Sequence, residues 1–331
     1  MLRYGEGMSD VENPSGGLDS EELALRDALL QGDATLASIA PILRHLLANE
    51  DGAMFGEEIV ARVRGTIADV ARQLLDRIAA AGGELERGVH DADDMAAMTA
   101  AIVGDPAFLN HVHALAIEWQ LVARLHTRLT ADPVLSPLLQ ALMARPDPET
   151  AALAMHLLAA QARWCQMQRR MELPLGELPG DLLHRALIAM RTVAGAEAEA
   201  DRRAAKAEAE IRGDYDESGS RLGMLSRLVT GMGAGADAAL SFSHAGVAIF
   251  ITALGIASAQ DRDLVALSTS EAQQARFMLS LRAAGLMPDA IDEQFLTLHP
   301  DTVPLKGIGK LGADRAAAML ALAGGSTGIL A

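Results

Sequence analysis

Nine histidines are the first residues to weigh for chemistry. His111 and His113 stand two positions apart. On a helix that spacing turns the rings about 200° from each other, so the pair cannot grip one ion. His111 and Glu118 are seven apart and share a face, yet two ligands make no site. Dinuclear carboxylate bundles take Glu-x-x-His from two helices, and no Glu in this chain has a His three positions on. HExxH is also missing. The expectation is therefore no metal site, no cofactor and no catalytic residue that the sequence can name.

Two histidines keep a candidate role. His126 falls on an apolar helical seam, which predicts a buried, hydrogen-bonded residue that fixes register, with a ligand or switch role as the alternative. His184, in DLLHRALIAM, lies near a helix start and is the residue best placed for an exposed phosphorelay histidine. The small and basic residues expected just after such a histidine are missing, and no nucleotide-binding half is visible.

GxSxG, Walker A and CxxC are all missing. Gly307-Ile-Gly309-Lys-Leu-Gly312 matches GxGxxG in letters only, since a dinucleotide fold needs a strand before it and a βαβ unit around it. The same stretch, 305–316, is similar to the Gly-Ile-Gly loop of a helix-hairpin-helix, in which backbone N–H groups hold a DNA phosphate. Lys306 and Lys310 flank it. Pro300 and Pro304 interrupt its lead-in, and a plain glycine turn between helices is the competing reading.

The elements that must position these residues follow from composition. The chain has 331 residues, 50% hydrophobic and 22% charged, enough for a sizeable core. Aromatics are only 3% while Ala, Leu and Met abound, which favours helices over a β-sandwich or barrel. There are 28 basic and 44 acidic residues, giving a net charge of −16. Such a surface repels phosphate backbones, so nucleic-acid binding is not expected. A lone cysteine, Cys165, excludes an internal disulfide framework and a thiolate metal cluster.

Along the chain, residues 1–18 read as a disordered tail rich in Gly, Ser and acidic residues. The tail has no apolar run of a signal peptide, and Met8 is a second candidate start. A helix signal begins at Asp19, and another apolar segment at 34–47 contains Pro41, which predicts a kink or split. Val60, Val63, Ile67, Val70 and Leu74 form a 3-4 stripe over 53–81. Phe108, Val112, Leu115, Trp119, Val122, His126 and Leu129 repeat it over 106–131. Leu153, Leu157, Ala160, Trp164, Met167 and Met171 do so over 148–172, and Leu183, Leu187 and Met190 over 180–194. These stripes predict an antiparallel helical bundle over 19–194, with Trp119 and Trp164 both buried. Residues 195–220 read as a charged, solvated linker helix and turn. The window 238–259 holds no Asp, Glu, Lys or Arg. Its acidic flanks predict a central core helix, with Phe250 and Ile251 buried, and not a bilayer span. It would organise a smaller C-terminal helical domain over 221–324, followed by a loose tail, 325–331.

Two segments, QRRMELPLGELPGDLLHRAL at 168–187 and RAAGLMPDAI at 282–291, carry a family resemblance. The chain resembles the all-helical family catalogued as domain of unknown function 2336. The resemblance implies a helical, bacterial, cytoplasmic protein; it transfers no activity and no site residue.

The fold expected is thus all-α. The function expected is non-enzymatic binding, most naturally of another protein, through Met- and Leu-bearing helical faces. Self-association into a homo-oligomer would use the same faces. A signalling component working through His184, and a nucleic-acid binder working through 305–316, are the alternatives.

Overall fold

The computed structural model describes residues 14–48, 57–83 and 90–327. Among them the chain is all-α, with no strand. The helices are α1 (Pro14–Ala48), α2 (Glu57–Ala81), α3 (Ala92–Val103), α4 (Pro106–Leu129), α5 (Pro137–Met143), α6 (Pro148–Arg170), α7 (Gly180–Ala194), α8 (Ala198–Asp214), α9 (Arg221–Gly231), α10 (Phe242–Ser258), α11 (Arg262–Ser268), α12 (Gln274–Ala283), α13 (Pro288–Leu298) and α14 (Ala313–Thr327).

The striped segments fold as their period predicts. α2, α4, α6 and α7 fall within a few residues of the expected ranges, residues 53–56 lying outside the described ones. Local chemistry sets their starts. Asp105 accepts from Ala107 N and Phe108 N ahead of α4, and Asp147 accepts from Thr150 N ahead of α6, each with Pro in the first turn. The segment 168–187 joins α6 to α7. Its Leu178, Leu182 and Leu183 are buried.

Several expectations are corrected. α1 starts at Pro14, so the supposed tail 1–18 is helical from there on, and 1–13 lie outside the described residues. Pro41 does not split α1: one helix runs through it. Leu36, Ile39, Leu43 and Leu46 are buried on both sides of the proline, and that packing outweighs the lost backbone bond. At the other end α14 extends to Thr327, into the expected loose tail. The charged stretch 195–220 is no solvated linker. Ala204, Ala207 and Ile211 of α8 are buried, and α8 packs on α2 and α7. The apolar window 238–259 is not one helix. A 3-10 turn, Gly233–Ala239, meets α10 at 116°, and Gly246 breaks α10 internally with φ +72° and ψ +169°. Phe250 and Ile251 are fully buried as expected. Among the described residues no single helix is long and apolar enough to cross a membrane.

Among the described residues the apolar side chains gather into two clusters. One joins Val63, Ile67, Val70 and Leu74 of α2 to Met98 of α3, Phe108 and Val112 of α4, Leu187 of α7 and Ile211 of α8. The other gathers Leu29 and Leu43 of α1, Leu121 and Leu125 of α4, and Leu157 and Trp164 of α6. It continues through Phe250 of α10, Phe277 of α12, Phe295 of α13 and Leu320 of α14. This second core crosses the expected junction, because α10, α11 and α12 pack directly on α1, α4 and α5. α4 serves both clusters, so its residues Phe108 to Ala116 are buried all round and not along one stripe.

Candidate functional site

The most concentrated polar chemistry lies where the two cores meet. Glu118 of α4 is wholly buried. It accepts from Arg221 twice, Nη1 to Oε1 at 2.9 Å and Nη2 to Oε2 at 3.1 Å, and from Arg262 Nη2 at 2.9 Å. Arg221 also donates to Gln161 Oε1 of α6 at 3.2 Å, and its guanidinium lies 4.1 Å over the Trp164 ring. Arg262 donates through Nε to Thr252 of α10 at 3.1 Å. Beside it, His111 Nδ1 and Asp263 Oδ2 are 2.7 Å apart.

Both arginines are placed by helix starts. Ser220 accepts from Gly223 N ahead of α9, and Arg221 N donates to Glu177 at 2.8 Å. A Cβ on Gly223 would lie 2.1 Å from the Glu217 carbonyl oxygen, so only glycine allows this tight entry. Asp261 accepts from Asp263 N and Leu264 N ahead of α11, which aims Arg262 inward and Asp263 at His111.

The electrostatics follow from this saturation. Burial by itself would raise the Glu118 carboxyl, but the charges and hydrogen bonds of Arg221 and Arg262 outweigh it and hold the group at about 2. His113 meets the reverse case, with burial alone pushing it down to about 4. Burial also raises the Cys165 thiol and, together with the charge of Asp263, the Asp261 carboxyl. The Glu118 carboxylate is therefore ionised and already holds three N–H bonds, so it has no capacity to act as a base. His111 is 1% exposed, and its Nε2 is sealed from solvent. The cluster ties α4, α6, α9, α10 and α11 together, with Arg262 and Asp263 at its partly exposed edge.

The sequence-predicted residues are spread over the molecule. His111 and His113 do face apart, and both are buried because α4 is covered on both sides. His126 is exposed, against expectation, and its Nδ1–H donates to Ala131 O at 2.9 Å at the end of α4. The covered face turns to Leu121 and Leu125, because the first half of α4 packs its stripe into one core and the second half packs into the other. On α6 the covered face also takes in Gln161, Cys165 and Gln168. Trp164 is buried, whereas Trp119 is only half-buried, with the Arg62 guanidinium 5.3 Å from its ring. His184 of α7 is exposed, and Arg212 Nη2 of α8 donates to its Nδ1 at 3.0 Å.

The glycine hairpin forms as a turn, with Gly307 at φ +91° ahead of Ile308–Lys310. Glu21 of α1 packs against Gly307 and pairs with Lys310 at 2.8 Å, while Glu22 pairs with Arg315. Carboxylates thus stand beside the turn and neutralise Lys310 and Arg315. The buried Glu118–Arg221–Arg262 cluster escaped the sequence reading. Its signals were the single acid on α4 and an arginine directly after a Ser or Asp cap.

Among the described residues two open concavities flank α3. One, of about 590 Å³, runs between α3 and the helices α1 and α2, lined by Leu47, Ile67, Met95, Ala96 and Val103. The other, of about 430 Å³, lies between α3, the start of α4 and α7, lined by Ile102, Phe108, Ile188, Ala189 and Thr192. Ala96, Ala97 and Ala100 of α3 are exposed between them. No family model, no curated protein and no solved structure matches this chain.

Proposed function

We propose that this protein is a non-enzymatic helical interaction protein of the bacterial cytoplasm, and that it works by docking another protein on the face built by α3 and α7. The observation that carries this reading is the pair of mostly apolar concavities flanking α3, with Ile188 at 52% exposure on the rim of the one between α3 and α7. Small side chains on α3 let a partner's backbone approach closely, and a large exposed apolar side chain is the usual anchor of such a contact. The inward use of the strongest charges points the same way, because the Glu118 cluster is consumed in holding helices. The resemblance of 168–187 and 282–291 to the domain of unknown function 2336 family supports a helical bacterial protein and adds no activity. Nucleic acid is disfavoured as a partner by the net charge of −16 and by Glu21 and Glu22 at the hairpin.

In-cell cross-linking in the native host tests this. The same partner is expected with the native chain and with Met287→Arg, a change at a 67% exposed residue between α12 and α13. It should be lost with Ile188→Arg. Equal recovery from all three would overturn the reading.

A further inference from the structure

We propose that His184 is a phosphoryl-acceptor site on this docking face, charged by an acyl phosphate carried by the protein that docks there. The partner's place rests on the interaction reading above; the acceptor chemistry rests on the geometry of α7 and α8. His184 and Ile188 are one turn apart on α7 and both exposed, so they share a face. Ile188 also lines the concavity between α3 and α7. A protein anchored on Ile188 therefore has the imidazole within a turn of its foothold.

Arg212 decides which ring nitrogen reacts. A guanidinium can only donate, so Nδ1, at 3.0 Å from Arg212 Nη2, holds the lone pair and Nε2 carries the proton. Arg212 is itself held by Glu208, Nε to Oε1 at 3.0 Å, and Glu208 is further paired with Arg191 at 3.3 Å. Arg191 is in turn held by Asp201 at 2.6 Å, so Glu208 and Asp201 together balance the two guanidiniums. In the transfer, the Nδ1 lone pair attacks phosphorus and an N–P bond forms. The P–O bond to the acyl group breaks, and the partner's carboxylate leaves with the electron pair. The ring then sheds its Nε2 proton to water and is left uncharged, carrying the anionic phosphoryl group on Nδ1. Arg212, freed from the lone pair, is placed to bond the phosphoryl oxygens, the pairing a planar guanidinium makes best. His111 and His113 are closed to this chemistry by burial.

Phosphoramidate, a small phosphoryl donor that leaves as ammonia, tests the site on the full-length protein without any partner. Phosphorus NMR and peptide mass spectrometry are expected to find the Nδ1 isomer at His184, formed several-fold faster than any label on His45, His126 or His156. The label should vanish in His184→Gln and form about tenfold more slowly in Arg212→Gln. Both residues are exposed, and an unchanged thermal midpoint verifies that the variants fold. No label, the Nε2 isomer, or equal labelling of the exposed histidines would overturn the proposal. Because the donor needs no docking, that failure would leave the cross-linking result standing, and failed docking would leave this one standing.

Discussion

Arg221 and Glu118 are 103 residues apart in sequence and meet through two parallel hydrogen bonds of 2.9 and 3.1 Å, both side chains sealed from water. The pair fastens the start of α9 to the middle of α4, where the two cores adjoin. Desolvation of both ions cancels much of their attraction, so the pair's net contribution is small. Cutting it is another matter, because a buried carboxylate loses its main partner. Arg221→Met is expected to destabilise the fold by roughly 3 kcal/mol, read from urea denaturation. An unchanged urea midpoint would mean that apolar packing alone holds α9 on α4.

Acid should weaken the protein in two stages. His113 is depressed to about 4 in the folded chain from an ordinary 6.5. As pH falls through that window the unfolded chain takes up a proton that the folded chain refuses, so stability drops, by about 3 kcal/mol at most. Glu118 is depressed to about 2 from 4.5, so its contribution is complete above 4.5 and is lost as pH falls toward 2. Denaturation midpoints measured from neutral pH downward should show both stages. His113→Gln should flatten the first and Glu118→Gln the second; a native profile without slope would contradict both assignments.

Gly246 holds α10 in a conformation open only to glycine, and a Cβ there would also lie 3.2 Å from the Ser136 Cβ. Gly246→Ala should cost roughly 1–3 kcal/mol. Gly213→Ala is the contrast, in a helix with open space around it, and should leave stability unchanged or raise it by a few tenths of a kcal/mol. Thermal midpoints moving in the same direction for both would refute the strain argument.

Val122 is 5% exposed in the core shared by α4 and the later helices. Val122→Asp places an unpaired charge there, at a cost of several kcal/mol. Loss of cooperative unfolding by circular dichroism is the expected outcome, and a native-like midpoint would show that the α4 seam is misplaced.

Sequence by itself determined the all-α class and the extents of α2, α4, α6 and α7. Those features depend on propensity, caps and a 3.6-residue period, all of which act within one segment. The candidate surface was partly legible: His184 stood out near a helix start, but Arg212 at its Nδ1 and Ile188 beside a concavity belong to the packing of α7 with α8 and α3. Tertiary structure alone decided that α1 runs through Pro41, that α10 turns at Gly246, and that α8 packs on α2. It also moved His126 to the surface and drew Glu118, Arg221 and Arg262 into one buried cluster. Whether a side chain on a helix is covered is set by what arrives from elsewhere in the chain. For α4 two cores arrive from opposite sides, and a one-dimensional stripe records only one of them.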